Sequence, residues 1–72
     1  MVDMIPMVNR EKIRYLRKDV LKLTLEEASK RAGFATLRRW DAVETGDTES
    51  PPIDTVAAIA KVLGTTIDEL ME

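Results

Sequence analysis

Arg38 and Arg39 stand side by side at the head of the run Arg38-Arg39-Trp40-Asp41-Ala42-Val43-Glu44-Thr45-Gly46, and they offer the most chemistry in the chain. A guanidinium is a rigid planar fork of donors, suited to a carboxylate, a phosphate or any planar pair of acceptors. Catalysis has far less to work with. There is no His and no Cys among the 72 residues, so imidazole acid–base chemistry, thiolate nucleophiles and Cys/His metal sites are excluded. Glu26 and Glu27 are adjacent, but helix capping accounts for them better than a catalytic dyad does. The acids form no calcium-loop pattern, and Gly33, Gly46 and Gly64 are isolated, so no glycine-rich phosphate cradle exists. The sequence reads as a non-enzyme with no catalytic residues, no metal and no cofactor.

The basic residues are concentrated. Residues 1–40 hold ten of the eleven Lys and Arg against five acids, a surplus of five positive charges. Residues 41–72 hold only Lys61 against eight acids, a deficit of seven. A formal net charge of −2 therefore conceals a basic half, suited to a polyanion, and an acidic half. With 44% hydrophobic and 33% charged residues, the composition is that of a folded domain. No apolar stretch approaches the ~18 residues of a membrane span, and the first residues lack the basic cluster of a secretory signal. These features predict a cytoplasmic binding module of one domain, residues 9–72. Residues 1–8 precede it as an extension, read either as a flexible tail or as an arm that packs on a neighbour.

The periodicity that must position the arginines is helical throughout. Asn9 is a good N-cap for a first helix, and Ile13, Leu16 and Val20 recur at core spacing along it. Thr24-Leu25-Glu26-Glu27 is a capping box that opens a second helix over 25–32, with Gly33 as its left-handed stop. A third helix is expected over about 36–46. On it Trp40 and Val43 share the core face, while Arg38, Ala42 and Thr45 lie opposite with Asp41 beside them. After Pro51-Pro52, the residues Ile53, Val56, Ile59, Ala60 and Leu63 form the apolar face of a fourth helix that ends at Gly64. Thr66-Ile67-Asp68-Glu69 is a second capping box, which predicts a short fifth helix with Ile67 and Leu70 facing inward. The expected fold is all-α, a compact five-helix domain.

From Asn9 to the end of the chain this order resembles the Cro/CI-type (Xre-like) helix-turn-helix domains of phage and bacterial regulators. The resemblance rests on Leu23-Thr24-Leu25-Glu26-Glu27-Ala28-Ser29 through Gly33, on Trp40-Asp41-Ala42-Val43-Glu44-Thr45-Gly46, and on the run from Pro52 through Ile59-Ala60-Lys61-Val62-Leu63-Gly64 to Asp68-Glu69-Leu70. There are departures. The first helix and the turn from Gly33 to Trp40 each carry one extra residue. Ala28 and Ala32 stand where the family has Leu, and Phe34 and Trp40 where it has Val or Ile, an exchange of volume between small and large core positions. Thr36 through Asp41 also resembles, more weakly, the recognition helix of MerR-type regulators, without their longer gap or wing.

The resemblance implies a transcriptional regulator, repressor-type, that binds double-stranded DNA with its third helix in the major groove. Arg38 is then the base reader, since its fork matches guanine O6 and N7. Arg39 suits a phosphate, Asp41 a cytosine amine, Leu37 a thymine methyl and Thr45 a phosphate, with Ala42 on the face of Arg38 and Thr36 as a further DNA-contact position. At the second helix, Thr24 and Leu25 mark the family's backbone–phosphate contact, and Lys22, Lys30 and Arg31 add long-range positive charge. The resemblance also implies a homodimer, through a C-terminal surface of Ile67, Leu70 and Met71, and an Arg17–Glu44 ion pair between the first and third helices. The alternative reading is a protein-interaction module, such as an antagonist or antitoxin, that keeps the fold without binding DNA.

Overall fold

The computed structural model describes residues 8–47 and 50–71. Four α-helices carry the fold: α1 (Arg10–Tyr15), α2 (Leu25–Ala32), α3 (Arg38–Thr45) and α4 (Ile53–Leu63). A π-helical segment, Leu16–Val20, continues α1, and a single 3₁₀ turn, Asp68–Leu70, stands where a fifth helix was expected. The second capping box is half made. The Thr66 hydroxyl accepts the Glu69 amide at 3.2 Å, but the Glu69 carboxylate reaches away to Lys12 Nζ at 3.5 Å. One such bond supports a turn, whereas the complete box opens a helix.

The first box is complete. Thr24 Oγ1 accepts the Glu27 amide at 3.1 Å, and Glu27 Oε1 accepts the Thr24 amide at 3.0 Å. These bonds, the backbone one foremost, hold the Glu27 carboxyl below its ordinary value. At the other end Gly33 adopts φ 80°, and the Phe34 amide donates to Ser29 O at 3.0 Å, closing α2 as a Schellman motif. Asn9 caps α1 through its side chain, accepting from the Lys12 amide at 3.0 Å.

The extra residue of the first helix is absorbed by the π-helical segment, where the Leu21 amide donates to Leu16 O at 2.9 Å, five residues back. A wider turn advances each side chain through a smaller angle, so the core stripe drifts. Val20, expected inside with Ile13 and Leu16, is 51% exposed, while Arg17 is buried. Two residues past the segment stands Lys22, the one described non-glycine residue with positive φ, 56°.

The core is built from Ile13, Leu23, Ala28, Trp40, Val43, Val56, Ile59, Ala60, Leu63 and Leu70, with Val8 at its edge. Trp40 is its largest member and has no exposed surface. The Phe34 and Trp40 rings meet edge-to-face with centroids 6.3 Å apart, and Phe34 packs half-buried against the core. On α4 the apolar face is Val56, Ile59, Ala60 and Leu63 as expected, but Ile53, at its first turn, is exposed. Val8, counted from sequence with the N-terminal extension, pairs with Met71 in an antiparallel bridge, and the Asn9 amide donates to Leu70 O at 2.7 Å. Residues 1–7 lie outside the described residues.

A buried polar cluster ties α1 to α3. Arg17 donates to Glu44 through Nε at 2.6 Å and Nη2 at 3.0 Å, and its Nη1 donates to Leu23 O at 2.7 Å. Trp40 Nε1 donates to the same carboxylate at 2.6 Å. The Arg17 and Glu44 side chains are 8% and 5% exposed. Removing one member of such a pair leaves the other charge buried without its partner. Glu44→Ala is expected to destabilise the domain by about 3–5 kcal/mol in a urea titration, and a wild-type midpoint would contradict the burial of the pair. Lys22 calls for the opposite change. Lys22→Gly removes the left-handed penalty and is expected to stabilise by about 1 kcal/mol, read as a higher melting temperature; an unchanged or lower value would contradict the strain.

Candidate nucleic-acid interface

The third helix starts two residues later than its sequence suggested. The extra residue between Gly33 and Trp40 is taken up by the turn, which spans 33–37, so Thr36 and Leu37 belong to the turn and α3 opens at Arg38. Leu37 occupies the N-cap position, its carbonyl accepting the Asp41 amide at 2.9 Å, and its side chain makes no capping bond. The first amides of α3 are therefore left without a side-chain cap, at the positive end of the helix dipole.

Trp40 and Val43 fix the rotation of α3 by burying one face, which leaves Arg38 and Thr45 on the other. Thr36, Leu37, Arg38, Arg39 and Thr45 are exposed, while Asp41 and Ala42 are half-buried. Leu37 is a large apolar side chain 41% exposed at the tip of the turn. Arg38 makes no side-chain hydrogen bond or ion pair among the described residues, so its fork of donors is free at the start of the helix. The Arg39 guanidinium lies over the face of Phe34, 5.2 Å from the ring centroid. This cation–π contact was not expected from sequence. The signal was present, an aromatic residue five before an arginine across a turn, but only the turn's path brings them together.

The second helix opens at Leu25. Thr24 is exposed and Leu25 half-buried at its start, but the Thr24 hydroxyl and the Glu27 amide are engaged with each other in the capping box. Beside this end an open groove of about 430 Å³ is lined by Arg17, Lys18, Lys22, Leu23, Thr24 and Leu25. Lys18 and Lys22 are its exposed cations, whereas Lys30 and Arg31 are exposed in the last turn of α2, away from its N-terminal end. Of the three cations expected to supply long-range positive charge, Lys22 lines this groove, and Lys18 joins it there.

At the far end of α3, Gly46 adopts φ 87°, and a Cβ there would collide with the Arg10 guanidinium. Arg10 thus brings positive charge from α1 to the carbonyl end of a helix that has no basic residue in its own last turn. The expected C-terminal surface is reduced. Leu70 is fully buried, Ile67 and Met71 are half-buried, and Met71 is bridged to Val8. No helix among the described residues is long and apolar enough to cross a membrane.

Comparison with known proteins agrees with this geometry. A helix-turn-helix family model matches residues 13–70, from the buried Ile13 of α1 to the buried Leu70 of the closing 3₁₀ turn. Searches of curated proteins and of solved structures return no match. With α2, the turn and α3 arranged as described, and with the match spanning most of its length, the chain belongs to the Cro/CI-type helix-turn-helix family of DNA-binding regulators.

Proposed function

We propose that this protein is a sequence-specific transcriptional regulator of repressor type that reads the major groove of double-stranded DNA with α3. The observation that carries the reading is the exposure of Arg38 in the first turn of α3, without an intramolecular partner among the described residues, on the face opposite the buried Trp40. In this motif the first turn of the second helix meets base edges, and an arginine there bonds guanine O6 and N7. Leu37, exposed just before it, supplies an apolar surface for a thymine methyl. Asp41 accepts from a cytosine amine. Thr36, Ala42 and Thr45 border the same face, and Arg39 takes a phosphate. At α2, the amides near Thr24 and Leu25 approach a phosphate, supported by Lys18 and Lys22, with Lys30 and Arg31 contributing at longer range.

A domain this small spans only a few base pairs, so a homodimer on two half-sites supplies the missing affinity. The half-exposed Ile67 and Met71 are the apolar residues available for it at the C-terminal end. The protein acts in the cytoplasm, where its operator is.

The test separates base reading from charge. Duplexes are selected from a random pool, and each variant is titrated against the selected and a scrambled duplex at two salt concentrations. Arg38→Ala is expected to lose roughly 1–3 kcal/mol on the selected duplex and much less on the scrambled one. Arg39→Ala is expected to weaken both alike and to lower the salt slope by about one ion per subunit. Equal losses on both duplexes for Arg38→Ala would make it a phosphate contact. Failure of the unmutated protein to bind any duplex at low salt would favour the interaction-module reading instead.

A further inference from the structure

We infer that Phe34 is a positioning residue for DNA backbone binding: its ring face holds the Arg39 guanidinium in the orientation that meets a phosphate. The inference rests on the DNA-binding reading of α3 and adds to it a residue on a different element. Three observations converge on Phe34. Its backbone is fixed by the closure of α2, with its amide bonded to Ser29 O at 3.0 Å. Its ring meets the fully buried Trp40 edge-to-face at an interplanar angle of 61°. Its ring face carries the Arg39 guanidinium, 5.2 Å from the centroid. The residue is therefore held by its backbone and by Trp40, and its ring presents a face to an exposed arginine.

An exposed arginine samples many rotamers, and ordering it on binding costs side-chain entropy. A ring that already holds the guanidinium reduces that cost. A guanidinium held over the ring at this distance keeps the N–H groups turned away from the ring free to donate to phosphate oxygens. Arg39 forms no ion pair among the described residues. Asp54, at the start of α4, lines the same open groove as Arg39, so an unstacked Arg39 has an acidic alternative within the groove. The lengthened turn makes the arrangement possible, because Phe34 lies at its beginning and Arg39 just past its end.

The experiment uses the full chain and three variants: Phe34→Leu, which keeps apolar bulk without a π face, Phe34→Tyr, which keeps the face, and Phe34→Leu combined with Arg39→Ala. The first readout needs no DNA. Ring-current displacement of the Arg39 side-chain protons in the NMR spectrum is expected in the wild type and Phe34→Tyr and absent in Phe34→Leu. The second is affinity for selected and scrambled duplexes at two salt concentrations. Phe34→Leu is expected to weaken both duplexes by about two- to fivefold, the size of an exposed cation–π contact, while Phe34→Tyr binds like wild type. On the Arg39→Ala background Phe34→Leu is expected to have no further effect, whereas a purely structural Phe34 would lower affinity on either background. Undisplaced Arg39 protons in the wild type, full affinity in Phe34→Leu, or an undiminished loss on the Arg39→Ala background would each overturn the inference. If the wild type shows the displaced protons but binds no duplex, the stacking stands and the DNA reading, with the phosphate role of Phe34, falls.

Discussion

The Glu44 carboxylate is the constraint on which the rest of this fold depends. It receives Arg17 from the π-helical continuation of α1 and Trp40 from its own helix, and it is almost wholly withdrawn from water. Trp40 lies four residues before Glu44, so the bond from indole to carboxylate runs along one face of α3 and fixes that face inward. Arg17 also donates to Leu23 O, at the entrance to α2. One guanidinium thereby joins the end of the first helix, the start of the second and the end of the third. In a domain whose core is thin, a buried charge pair of this kind specifies geometry more than it adds net stability.

From that anchor the exposed face of α3 follows. With Trp40 and Val43 turned inward, Arg38 and Thr45 point to solvent. The longer turn then adds an aromatic support, because Phe34 meets Trp40 edge-to-face and carries Arg39 over its ring. The same tryptophan that fills the core and satisfies Glu44 thus steadies the ring beneath an exposed arginine. Core packing and the exposed start of α3 are here one connected structure, and aromatic bulk at positions 34 and 40 serves both.

Much of this was legible in the sequence, and the reasons are local. The Thr24–Glu27 box, the Gly33 stop, the Asn9 cap and the burial of Trp40 all follow from short-range chemistry that a sequence displays directly. The Arg17–Glu44 pair was legible only through the family resemblance, since its partners lie 27 residues apart. What sequence misplaced traces to two single-residue insertions. The first is absorbed by a π-helical segment, which turns Val20 outward, whereas a regular helical period keeps Val20 in the core. The second lengthens the turn, delays α3 from Thr36 to Arg38 and brings Phe34 to Arg39. A periodicity argument assumes an uninterrupted helix, so it carries no signal about where an extra residue is absorbed. The closing segment shows the same limit. Thr66 caps as its motif predicts, but Lys12, remote in sequence, draws Glu69 away and a 3₁₀ turn results.

The central claim is that the fold presents the first turn of α3 to DNA bases. Its most direct test is a titration of isotope-labelled protein with a duplex selected from a random pool, following each backbone amide and arginine side chain by NMR. The account predicts the largest shifts at Leu37, Arg38 and Arg39, smaller ones at Thr24 and Leu25, and little change along α4 from Val56 to Leu63. Shifts concentrated on α4 and the C-terminal turn, with Arg38 unmoved, would contradict it.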